Sequence, residues 1–301
     1  MRGATKSKPP PRKETTMADV YEIVNEKILA ELDKGIIPWK KPWKSVYAVS
    51  YVTRKPYSLL NQILLNDGGE YLTFNQITSL GGHIKKGAKA KFVVFWKMLK
   101  KTETVEEDGE TKTVTRVIPM LRYYNVFNIK DTEGVKPHTE ITTEEIKTLD
   151  TADEVITVYI SRENIGFHFG GNSAFYSPSL DSVTVPEKSQ FMETAEYYST
   201  VFHELVHSTG HESRLNRGLK GAFGSKEYSK EELVAELGSA YSLGRLGIDT
   251  QSSTRNSTAY IQSWKKHISE DKYLFVSTAG KAEKACKYIF GEVETAEEVG
   301  E

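Results

Sequence analysis

The residues His203-Glu204-Leu205-Val206-His207 carry the densest chemistry in the sequence. On a helix of 3.6 residues per turn, positions four apart lie about 40° apart around the axis, so both imidazoles can reach one ion from one face. Glu204, one residue on, can address a water held by that ion. Two histidines with an interleaved carboxylate form the H-E-x-x-H zinc arrangement: two ligands and a general base. With a third protein ligand and one open position, Zn²⁺ brings the pKa of its water towards about 7. Glu204 can then take that water's proton and pass it to a leaving amine.

A third ligand must come from elsewhere. Glu236 is the first choice, because it lies in Ala235-Glu236-Leu237-Gly238-Ser239-Ala240, whose small residues let one helix approach another closely. Glu232, one turn earlier, has a rival duty as the capping-box partner of Ser229. His211 is the third choice, since H-S-T-G-H resembles the start of a longer zinc motif whose last histidine would fall at Ser213. Upstream, Ser182-Val183-Thr184-Val185 can supply an edge strand that holds an extended peptide substrate beside the cleft. Tyr176, Tyr197 and Tyr198 are candidate oxyanion donors, or else core.

A second chemistry is concentrated near the start of the chain. Trp39, Trp43, Tyr47, Tyr51 and Tyr57 alternate with Lys40, Lys41, Lys44, Arg54 and Lys55, and Trp96 lies near Lys91 and Lys97. Aromatic faces stack bases and basic side chains neutralise phosphates, which together suit a single strand without strong sequence preference. The competing expectation is that about half of such aromatics are core, with the lysines in solvent.

The elements that must position these residues can be read from periodicity. Val20, Ile23, Val24, Ile28, Leu29 and Leu32 have helical spacing over 17–34, and Gly35 is a stop. Tyr71–Leu80 suggests a short helix. KFVVFWKML (91–99) and VIPMLRYYNVFNI (117–129) have strand composition and flank a charged loop, which predicts a hairpin, with Pro119 at an edge or an end. Residues 131–150 read as a linker. Beyond it, Glu154–Ser161, Ile165–Phe169, Ala174–Tyr176 and Ser182–Val185 read as strands. Helices are expected over 192–209 with Gly210 as a stop, from Ser229 to Leu246, over 258–270 and over 280–290. Strands followed by helices give an α+β fold.

The chain has 301 residues, 40 Lys+Arg and 41 Asp+Glu. Its length suits about two domains. The balance of charge conceals an asymmetry: the first hundred residues hold 18 basic and 8 acidic side chains, and the rest hold 22 and 33. A basic first third can meet a polyanion. No apolar run reaches the ~20 residues that span a bilayer, and the basic, proline-rich 1–16 does not read as a secretory signal. The single cysteine, Cys286, excludes an intramolecular disulfide and a cysteine-rich zinc site, and suits a reducing cytoplasm. The expected organisation is a tail (1–16), a nucleic-acid-binding domain (17–130), the linker, and a metal-dependent domain (151–301).

The runs IPWKKPW, KPYSLLNQILL, YLTFNQITSLGGHIKKG and RYYNVFNI resemble the N-terminal single-stranded-DNA-binding domain of ArdC antirestriction proteins, a domain similar to one in plasmid TraC-type primases. AFYSPSLDSVTVP, EYYSTVFHELVHSTGHESRLNR and YSKEELVAELGSAY resemble the zincin-like metallopeptidase domain that follows it in ArdC. The resemblance implies a protein of conjugative plasmids and related mobile elements that protects incoming DNA from restriction. It implies Zn²⁺ on His203 and His207, with Glu204 as base and a third acidic ligand within EELVAE. It implies no particular peptide substrate. Two expectations follow: a DNA-tethered zinc peptidase, or a strand-coating protein whose zinc site is structural.

Overall fold

Val20, Val24, Ile28 and Leu32 recur every four residues and are all buried, which fixes helix α1 (Met17–Asp33) against the interior. Gly35, at a φ of +76°, turns the chain out of it. The computed structural model describes residues 17–40, 47–107, 110–138, 148–219, 225–248 and 258–292. The expected tail (1–16) and residues 139–147 of the expected linker lie outside them.

After a 3-10 turn (Pro38–Lys40) come β1 (Ala48–Ser50), α2 (Leu59–Leu65), β2 (Gly69–Leu72) and α3 (Phe74–Ser79). The helix expected over 71–80 therefore divides. Tyr71 and Leu72 pair as strand, and Thr73 caps α3 in a reciprocal capping box with Gln76. Then follow β3 (His83–Ile84), the long β4 (Lys91–Glu107), β5 (Glu110–Asn128) and β6 (Thr132–Glu133). β4 and β5 form the expected antiparallel hairpin. They complete a sheet of order β1-β2-β5-β4, while β3 pairs with β6. β2 meets β5 only at Phe127 and Asn128, so Pro119 lies where β5 has one neighbour and no ladder bond is lost on its other side.

The strand expected over 154–161 is a helix, α4 (Thr148–Glu163). Its alternating pattern suggested a strand, but the residues that are buried are Ala152, Ile156 and Tyr159, a 3.6-residue period. Strands β7 (Gly166–Phe169), β8 (Phe175–Ser177) and β9 (Ser182–Val185) form a sheet of order β7-β9-β8. Among the described residues four helices follow: α5 (Thr194–Thr209), α6 (Lys226–Arg245), α7 (Thr258–Glu270) and α8 (Leu274–Ile289). The order of strands and helices is the α+β class.

One apolar core runs from α1 and α2 through α5, α6, α7 and α8. Trp39 packs on Phe275 with ring centroids 5.6 Å apart. Asn25 donates to the carbonyls of Ile268 and Lys272, each at 3.2 Å. The Glu283 carboxylate on α8 accepts from the Leu59 amide at 2.9 Å, so an acid from the last helix sits on the N-terminus of α2. Among the described residues no helix is long and apolar enough to cross a membrane.

Candidate metal centre and nucleic-acid interface

α5 is held by the apolar residues Tyr198, Val201, Phe202, Leu205 and Val206, each fully buried at the helical period. That packing fixes the rotation of the helix and presents His203 and His207 together at a cleft wall. α6 crosses close by. A Cβ on Gly238 would lie 2.8 Å from Val206 Cγ2, so only glycine permits this approach. The Ser239 hydroxyl donates to the Ser199 carbonyl at 2.8 Å and pins the same crossing.

The crossing brings Glu232 to the histidines. α6 begins three residues before the expected box, because Ser225 is its cap and accepts from the Tyr228 amide at 3.1 Å. Glu232 is thereby released from the capping duty that competed for it. Its carboxylate oxygens lie 3.6 Å from His203 Nε2 and 3.5 Å from His207 Nε2. The two Nε2 atoms are 3.1 Å apart. Four ligands about 2.1 Å from one ion in a tetrahedron stand about 3.4 Å from one another. The two nitrogens stand near that figure, Glu232 meets each of them through a different oxygen, and the three residues form one group of potential ligand atoms. Two imidazole nitrogens facing each other beside a carboxylate are a donor set that fits a divalent cation.

Glu236, the first choice from sequence, sits elsewhere. Its carboxylate is 3.9 Å from His203 Nδ1, on the far side of the ring from Nε2. One turn of α6 separates the two positions, and the earlier turn faces the open side. His211 turns away, its Nδ1 2.8 Å from the Ser213 hydroxyl.

Behind His207 stands a chain of partners that sequence reasoning missed. His207 Nδ1 is 3.4 Å from Glu231, which takes a two-pronged contact from Arg217 at 3.0 and 2.6 Å. Arg217 also donates to the Thr209 hydroxyl and the Val206 carbonyl, at 2.6 and 2.7 Å. A carboxylate on the outer nitrogen fixes the tautomer and orientation of a ligating imidazole. Burial alone would depress the His207 pKa, but Glu231 and Glu232 outweigh it and push it up to about 9. Burial would raise Glu232, yet both histidines hold it well below the usual carboxylate range.

The cleft measures about 630 Å³, and Glu204 and Tyr228 join His203, His207 and Glu232 in lining it. Its sheet wall is β8, through Phe175 and Tyr176. This corrects the sequence reading, in which Ser182–Val185 was the edge: β9 lies in the centre of its sheet, and β8 is the free edge beside the site. The Tyr176 hydroxyl donates to Asp181 at 2.7 Å, Tyr198 accepts from Lys188 at 2.9 Å, and Tyr197 and Tyr198 are buried, so of the three expected oxyanion donors Tyr176 alone lines the cleft.

The expected nucleic-acid residues are dispersed. Trp39 is 1% exposed and Tyr57 8%, so neither ring offers a face to a base. Arg54, at a φ of +62°, pairs with the buried Glu70, which also accepts from the His138 amide at 3.0 Å. Lys55 is exposed. Lys40 ends the 3-10 turn, and Lys41, Trp43 and Lys44 lie outside the described residues. Aromatic and basic side chains do meet on the hairpin. There Phe95 and Tyr124 are 37% and 43% exposed with centroids 6.0 Å apart, and Arg122 is the cross-strand partner of Phe95.

Known proteins resemble both parts. Residues 18–127 match the N-terminal domain of the anti-restriction factor ArdC, and residues 154–281 match a zincin-like metallopeptidase family. The crystal structure of the antirestriction protein ArdC from plasmid R388, metal-free, superposes with a TM-score of 0.70 at 27% identity, over 92% of this chain and all of that one. Its Mn(II)-bound structure gives 0.68 at 28%, over 90% and 97%. Two Escherichia coli proteins named DNA primase TraC are 32% identical over 89% of this chain, which spans only 20% and 27% of their lengths. The y4eC protein of Sinorhizobium fredii is 27% identical over 94% of this chain and 95% of its own.

The fold and the comparisons define a two-domain protein with an ArdC N-terminal domain followed by a zincin-like domain. The chain is accordingly an ArdC-like protein.

Proposed function

We propose that this ArdC-like chain binds single-stranded DNA through its N-terminal part and acts as a zinc-dependent peptidase in its C-terminal part, in the service of antirestriction. The observation that carries the reading is the convergence of His203, His207 and Glu232, with Glu204 on the same cleft. Nitrogen, nitrogen and carboxylate suit Zn²⁺, and the Mn(II)-bound relative supports a divalent ion.

Bound there, Zn²⁺ supplies an acidified water and polarises a carbonyl. The chain's own residues supply the rest. Glu204 holds a proton taken from solvent in the cleft and returns it to the departing amine. Glu231 and Arg217 keep His207 oriented. The free edge of β8 offers main-chain groups to an extended peptide.

The test is Glu204→Gln in the full chain, with bound metal measured in parallel. The reading expects metal to stay, and both peptide cleavage and protection of incoming DNA to fall at least about a hundredfold. Protection retained at full strength with metal bound would favour the second reading, a strand-coating protein with a structural site. The basic, aromatic hairpin is the observation that favours that alternative.

A further inference from the structure

The inner stretches of the hairpin, 91–102 and 115–128, contain six basic residues and no acidic one. Strand pairing sorts them by face. Successive side chains on a strand point to opposite sides, so Lys91, Phe95, Lys97 and Lys101 share one side of β4. Their register partners Val126, Arg122, Met120 and Arg116 share it from β5, and Tyr124, opposite Val93, joins them. Five of the six basic residues thus stand on the face that carries Phe95 and Tyr124. The opposite face holds Lys100 alone among basic residues, and Trp96 there meets Tyr21 of α1 with centroids 6.4 Å apart.

The two exposed rings have a firm base. Phe95 lies 6.2 Å from the buried Tyr57, which lies 6.3 Å from the buried Tyr71. Lys91 secures the foot of the face by donating to the Leu65 carbonyl at 2.8 Å. Rings on a rigid sheet lose little entropy on stacking, and basic side chains on both strands beside them can follow a backbone of phosphates. From Phe95 to Lys101 the face extends about 20 Å at the usual rise of a strand.

We propose that this face of the hairpin is the path of the single strand, with bases on Phe95 and Tyr124 and phosphates beside Lys97, Arg122 and Arg116. The proposal rests on the single-stranded-DNA reading above and gives it a location distinct from Trp39 and Tyr57. The one-sided sorting of charge argues for a polyanion over a protein partner, since apolar docking would favour the Trp96 face.

The experiment titrates fluorescein-labelled oligothymidylate into the full chain and follows anisotropy at several salt concentrations. Three double variants are compared with wild type: Phe95→Ala with Tyr124→Ala, Lys97→Ala with Arg122→Ala, and Trp96→Ala with Met98→Ala. The ring pair is expected to weaken binding about thirtyfold or more, and the opposite-face pair about threefold or less. Loss of the two cations is expected to reduce the slope of log affinity against log salt by about 1.4. A ring-pair variant that binds like wild type, or a larger loss from the opposite-face pair, overturns the proposal while leaving the DNA-binding reading intact. Failure of wild type to bind removes that reading itself, and this proposal with it. If the ring-pair variant does not fold, Phe95→Trp decides: quenching of its added emission by oligothymidylate supports the path, and unchanged emission overturns it.

Discussion

The metal cleft and the hairpin face are built in opposite ways. The cleft takes its proposed ligands from two helices locked at Gly238 and Val206, and each proposed ligand nitrogen or oxygen has a neighbour within 4 Å. The hairpin face is open, and its side chains come from strands whose register partners stand up to 35 positions apart, as Lys91 does from Val126. Buried groups held by fixed partners suit one ion of fixed geometry, whereas an exposed row of rings and cations suits a flexible polymer. Sites that share no side chain should fail independently, and so should the two proposed activities.

The largest effect expected is from His203→Ala. It removes one of two imidazoles, so bound metal should disappear on elemental analysis while oligothymidylate affinity stays unchanged. A parallel loss of DNA binding would break the contrast between the regions. Next in size is Glu231→Ala, which frees the outer nitrogen of His207 and leaves Arg217 without its carboxylate. Metal affinity measured by competition with a chelator should fall about 10–100-fold.

Gly238→Ala probes the helix crossing that makes the cleft. The added methyl meets Val206 at 2.8 and 3.1 Å, so the protein should lose about 1–3 kcal/mol on denaturant unfolding. The smallest effect concerns Asp181, which joins Tyr176 of the cleft wall to Arg214 behind α5. Burial works to raise the Asp181 pKa, but hydrogen bonds from Arg214 and Tyr176 outweigh it and lower it. A lowered pKa contributes stability above the ordinary aspartate value of about 3.9 that is lost as pH falls through the folded value. Asp181→Asn should therefore lower the thermal midpoint at neutral pH, with the gap to wild type closing in acid.

Much of the cleft was legible because helical neighbours are neighbours in sequence. His203, Glu204 and His207 fall within five residues, and the small residues around Gly238 announced a close crossing. The choice between Glu232 and Glu236 was not legible, since it depends on which turn of α6 faces α5, and a cap at Ser225 instead of Ser229 changes the duties of the first turns. α4 was misread because a short run that alternates can also satisfy a helical period, as the buried positions Ala152, Ile156 and Tyr159 do. The hairpin itself was visible in two strand-like runs. Which face gathers the cations was not, because a one-residue change of register exchanges every side chain between faces. Trp39 looked like a stacking residue for the same reason that it is core: a large ring serves both purposes, and only burial separates them.

Equilibrium metal content reads directly which carboxylate completes the shell of a bound ion. Wild type, Glu232→Ala and Glu236→Ala are dialysed against trace Zn²⁺ and their metal is counted. The spacing of His203, His207 and Glu232 predicts one equivalent in wild type, retention in Glu236→Ala and loss in Glu232→Ala. Metal kept by Glu232→Ala and lost from Glu236→Ala would contradict it.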